Sequence, residues 1–95
     1  MVTLEQAKHI AANYLVNLQG QIGIPIQIVK VLNTKYGWVF FYNSSEYVKF
    51  GNIGAMLAGN APFLIDSKDG AINVFGTAQP LEIYLQEYER SRGGS

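Results

Sequence analysis

The segment Leu57–Thr77, LAGNAPFLIDSKDGAINVFGT, constrains this chain more than any other. It is entered through Gly59-Asn60-Ala61-Pro62 and left through Gly76-Thr77. Phe63-Leu64-Ile65 is an apolar, β-prone run, and Ala71-Ile72-Asn73-Val74-Phe75 is a second one. Between them, Asp66-Ser67-Lys68-Asp69-Gly70 has turn composition, with Gly70 supplying the positive φ that closes such hairpins. The stretch therefore predicts strand, tight turn, strand. Gly59, Asn60, Pro62, Asp66 and Gly70 read as the residues that set its geometry, and none of them forms a catalytic signature.

The flanks supply the remaining elements. Thr3-Leu4-Glu5-Gln6 has the form of a capping box. Leu4, Ala7, Ile10, Ala11, Tyr14, Leu15 and Leu18 then recur at helical spacing, which predicts an amphipathic helix over 4–19 with Gly20 as its C-cap. Residues 21–25 read as a linker, since Pro25 cannot donate to a sheet ladder. Residues 26–32 are β-branched and predict a strand, 33–37 a turn, and 38–42 a second strand. In the second strand Trp38, Phe40 and Tyr42 point one way and Val39 and Phe41 the other, so it should be central. The long segment 43–60 is irregular in pattern, with a short helical turn expected near Gly54–Ala58. Pro80 and Glu82 open a last helix whose apolar stripe is Leu81, Tyr84, Leu85 and Tyr88.

The expected fold is α+β: an N-terminal helix, a four-stranded antiparallel meander and a C-terminal helix, with both helices on one face. One domain over residues 1–92 and a flexible tail over 93–95 complete the expectation.

Composition narrows function by exclusion. Seven acidic and seven basic residues give zero net charge, without the basic field that phosphate binding needs, so nucleic acid is not the expected partner. No apolar run approaches the roughly 20 residues of a membrane span. No signal sequence is apparent, and a cytoplasmic location is expected. The absence of cysteine removes disulfides and thiolate chemistry together. His9, the single histidine, shares a helix face with Glu5 but has no further ligands at recognisable spacing, so no metal or cofactor is expected. Asp66 and Asp69 lack the alternating acids and closing glutamate of a calcium loop. Gly51, Gly54 and Gly59 lack the strand–helix context and lysine of a phosphate loop, and Ser44, Ser45, Ser67 and Ser91 lack a base with an orienting acid. A non-catalytic protein is the expectation.

What remains is aromatic content: six tyrosines, five phenylalanines and one tryptophan. Many will line the core and its rim. Tyrosine and tryptophan also favour protein interfaces, where one end of the ring can be dry and the other hydrogen-bonded. The candidate partner-binding residues are Trp38, Phe40 and Tyr42 on an open sheet face, and Tyr47, Phe50, Ile53 and Met56 on the loop before the hairpin.

Several of these features occur together in a known family. Gly37-Trp38, Leu57-Ala58-Gly59-Asn60-Ala61-Pro62-Phe63, Ile65-Asp66, Gly70, Gly76-Thr77, Pro80-Leu81-Glu82 and Tyr84-Leu85 resemble the immunity protein 35 family. The resemblance covers nearly the whole chain and is densest over 57–88. It implies a bacterial cytoplasmic protein that binds and neutralises a cognate toxin. A stress chaperone that holds unfolded clients is the alternative, and a homodimer is a further expectation. In each case the partner is a protein, and the family motifs shape turns without locating the interface.

Overall fold

The computed structural model describes residues 1–57 and 60–93. The chain runs α1 (Leu4–Ile22), β1 (Ile26–Thr34), β2 (Gly37–Ser44), α2 (Ser45–Phe50), a 3-10 turn (Ile53–Ala55), β3 (Phe63–Asp66), β4 (Ile72–Val74) and α3 (Leu81–Gly93). The four strands form one antiparallel sheet in the order β1-β2-β3-β4, the meander expected from the short connections.

Helix α1 starts where its capping box directs. Thr3 Oγ1 accepts from the Gln6 amide at 3.2 Å, and Gln6 Oε1 accepts from the Thr3 amide at 2.9 Å. It ends later than the pattern predicts. Gly20 lies inside the helix, and the left-handed cap is Gly23 at φ 86°, whose N–H donates to the Gln19 carbonyl. A glycine within a helix costs only about 1 kcal/mol, which the surrounding turns offset, whereas Gly23 followed by Pro25 cannot continue it. A Cβ at Gly20 would meet nothing within 4 Å. Gly20→Ala should therefore raise the unfolding free energy by about 0.5–1 kcal/mol in urea denaturation.

The two helices lie on opposite faces of the sheet, not on one. Ala7, Ala11 and Leu15 of α1 pack on Phe40, Tyr42, Phe63 and Ile65. Leu81, Tyr84, Leu85 and Tyr88 of α3 pack on Val39, Leu64 and Phe75 from the other side. The alternation of β2 and β3 requires this. Phe63, Leu64 and Ile65 are all completely buried although successive side chains point to opposite faces, so both faces need a cover. The centre of the α1 layer is aromatic: Phe63 lies 4.5 Å from Tyr14 and 5.6 Å from Phe40 between ring centroids. Strand β1 carries a bulge between Ile28 and Lys30, which shifts its register against β2.

Candidate functional site

The chain between β2 and β3 is ordered by short polar contacts. Ser44 caps α2, its Oγ accepting from the Tyr47 amide at 3.0 Å, and Gly51 at φ 66° ends it. Asn52 Oδ1 accepts from the Gly54 amide at 3.1 Å and so starts the 3-10 turn. Its Nδ2 donates to Glu46 Oε1 at 3.0 Å, tying the turn back to α2. Asn43 Oδ1 accepts from the amides of Ser44 and Leu57 at 2.8 and 2.9 Å, and the Ser45 amide donates to the Pro25 carbonyl at 2.9 Å. Asn60 Nδ2 donates to the Tyr42 carbonyl. β3 pairs with β2 only as far as Phe40, so Asn60 supplies a partner for the edge of β2 beyond that point. The segment expected to be irregular is therefore a helix and a 3-10 turn held at both ends. Six residues of helix are too few to show periodicity, but Ser44-Ser45-Glu46 was a readable start signal.

This segment borders a groove of about 520 Å³, whose walls include Ile24, Pro25, Glu46, Ala55, Met56 and Leu57. A second concavity of about 340 Å³ adjoins it, sharing Ile24 and Pro25 and reaching Val16, Gln19, Gly20 and Gly23 at the end of α1. Large apolar side chains stand open nearby: Phe50 is 79% exposed, Ile53 75% and Met56 47%. Isolated apolar residues are normal on a surface, whereas here three large ones stand open within seven positions beside the groove.

The structure separates the candidate residues into two groups. Tyr47, half-buried, shares the segment 45–57 with Phe50, Ile53 and Met56. Phe40 and Tyr42 face α1 in the core, and half-buried Trp38 packs against the same cluster. The sheet face that was expected to be open is covered by α1, because β2 carries large apolar groups on both sides. Burial, then the neighbouring Tyr14, pushes the Tyr42 phenol above its ordinary range. Of the turn residues, Pro62 accepts from the Phe75 amide through its carbonyl at 2.9 Å, and Gly70 takes φ 77° against Ile10. Gly59 lies outside the described residues.

Asp66 does more than close the turn. Its Oδ1 accepts from the Lys68 amide at 2.8 Å and from Arg92 Nη2 at 3.1 Å. Its Oδ2 accepts from Arg92 Nε at 2.8 Å and from the Tyr88 hydroxyl. The Arg92 guanidinium also lies 4.8 Å above the Tyr36 ring. The carboxyl is held far below the usual carboxylate range, chiefly by the Arg92 hydrogen bonds, against burial and with help from Tyr88 and the Lys68 amide. Burial, and then the bond to Asp66, pushes Tyr88 up to about 12. This cluster fastens α3 to the hairpin turn. Its key partner, Arg92, lies 26 positions from Asp66, beyond the reach of any local pattern.

His9 is exposed, and no group of three acidic, histidine or cysteine side chains suited to a metal occurs among the described residues. None of the described helices is long and apolar enough to cross a membrane.

No solved structure matches the chain. An Escherichia coli K12 protein, described as uncharacterized protein YrhB, is 40% identical over 89 residues, covering 94% of this chain and 90% of the relative. Residues 5–91 match the family described as Immunity protein 35, so the helix–meander–helix scaffold described here belongs to a member of that family.

Proposed function

We propose that this protein is a non-catalytic immunity protein that binds a cognate bacterial toxin in the cytoplasm and blocks it by occupancy. Family membership supports the immunity role. The contact surface is the segment 45–57, and the observation that carries this assignment is the exposure of Phe50, Ile53 and Met56 on backbone already pinned by Asn43, Ser44 and Asn52. An apolar surface ordered before binding loses little conformational entropy on association, which favours a tight complex with one partner over weak capture of many clients. Trp38, Phe40 and Tyr42 contribute as the floor beneath α1 and give β2 the rigidity from which the segment projects.

The test is co-expression with a candidate cognate toxin, followed by titration of the purified pair. Phe50→Asp and Ile53→Asp should each weaken the complex by at least about thirtyfold, the effect of losing one interface hot spot of about 2 kcal/mol. Both side chains are exposed, so the melting temperature should stay within a few degrees of the parent. Unchanged affinity in both variants, with the fold intact, would sink the assignment of this surface. Suppression of aggregation of unrelated unfolded proteins, without a stoichiometric toxin complex, would instead support the chaperone reading.

A further inference from the structure

Two independent features give the groove beside α2 a negative character. The first is Glu46, the only ionisable residue among the described walls of either concavity. Its carboxylate is anchored by Asn52 Nδ2 at 3.0 Å and therefore has a defined place on the groove wall. Lys49, one turn further along α2, is not part of that wall, and the ion pairs among the described residues are Lys8–Glu5 and Arg92–Asp66. The second is the carboxyl end of α1. This helix has 19 residues and no basic side chain in its last turn. Its aligned peptide dipoles leave roughly half a negative charge at that end. Gln19, Gly20 and Gly23 from this end line the adjoining concavity, which meets the first at Ile24 and Pro25. The two concavities share the apolar residues Ile24 and Pro25.

Resting on the reading of segment 45–57 as the contact surface, we infer that the groove receives a partner segment that pairs a large apolar side chain with an adjacent arginine or lysine. The apolar group sits on Ile24, Pro25 and Met56, and the cation lies between Glu46 and the carboxyl end of α1. A partner with an acidic residue next to its apolar anchor is rejected at the same place. This assigns the recognised chemistry of the partner, which neither the fold nor the family supplies.

The probes are three capped pentapeptides, Gly-Phe-Leu-Arg-Gly, Gly-Phe-Leu-Gln-Gly and Gly-Phe-Leu-Glu-Gly, titrated into the full-length protein and followed by amide chemical shifts. The arginine peptide should shift Ile24, Ala55, Met56 and Leu57 and bind about three- to tenfold more tightly than the glutamate peptide, with the glutamine peptide between them. That preference should shrink as salt is raised. Glu46→Gln retains the acceptor for Asn52 and removes only the charge, so the preference should fall by about half on a logarithmic scale. Gln21→Lys, which places a cation in the bare last turn of α1, should weaken the arginine peptide without loss of fold. Equal affinities for the three peptides, shifts elsewhere on the surface, or no shift at peptide concentrations of about 10 mM would overturn the inference. If the peptides do not discriminate but Phe50→Asp still abolishes toxin binding, the contact surface stands and the charge selectivity falls. If they discriminate while Phe50→Asp and Ile53→Asp leave toxin binding intact, the groove chemistry stands and the toxin docks elsewhere.

Discussion

Replacing Gly37 by alanine is expected to lower the unfolding free energy by about 3–5 kcal/mol, enough to remove much of a margin on the order of 5–10 kcal/mol. A Cβ built at this position would lie 2.1 Å from the Ile65 carbonyl oxygen, 3.0 Å from its carbon and 3.1 Å from the Asp66 Cα. All three are backbone atoms of β3, so no side chain can rotate to make room. Gly37 pairs directly with Asp66, and Trp38 with Ile65. Relief requires β3 to move away from β2, which breaks ladder hydrogen bonds and opens both packed layers at once. Urea denaturation would show the loss as a lower midpoint. A midpoint within about 0.5 M of the parent would show that the two central strands are not so tightly apposed.

Asp66→Ala is the second large effect, with an expected loss of about 2–4 kcal/mol. The carboxylate is 3% exposed and accepts four hydrogen bonds, from Lys68, Tyr88 and two nitrogens of Arg92. Removing it leaves Tyr88 and the guanidinium without their acceptor and loosens α3 from the hairpin turn. The Arg92 side chain retains 28% exposure, so water recovers part of its solvation, and the expected loss stays below that of a fully buried pair. The pH dependence has a definite sign. The folded carboxyl is held well below its ordinary value, so the folded protein keeps this group ionised where the unfolded chain has begun to bind a proton. Its contribution is complete above the unfolded value of about 3.9 and is lost as pH falls below that and through the folded value. Stability measured from neutral pH downward should decline below about pH 4 in the parent, and Asp66→Asn should flatten that decline. Parallel acid profiles for the two proteins would show that Arg92 does not hold the carboxylate in solution.

Much of the fold was legible because its signals are local. Thr3 and Gln6 mark the start of α1, Gly70 the β3–β4 turn, and the alternation of 38–42 a central strand. The end of α1 was misplaced because Gly20 and Gly23 look alike in sequence, and only Gly23 takes a left-handed conformation. α2 was missed because its short length left capping, not periodicity, as its only signal. The candidate surface was half legible. Phe50, Ile53 and Met56 stand open, whereas Phe40 and Tyr42 share their apolar character and lie under α1. Composition cannot distinguish a large apolar residue that faces a helix from one that faces water.

The sequence by itself determined the order of the two long helices and the four strands, the antiparallel meander and the two-sided apolarity of β2 and β3, because each depends on residues within a few positions of one another. Only the tertiary structure decided that α1 and α3 cover opposite faces, that Arg92 reaches back to Asp66, and that Glu46 and the carboxyl end of α1 border adjoining concavities. These depend on contacts between segments far apart in the chain. Such contacts form when both faces of a central strand must be buried at once, and no local pattern specifies which distant segment will bury them.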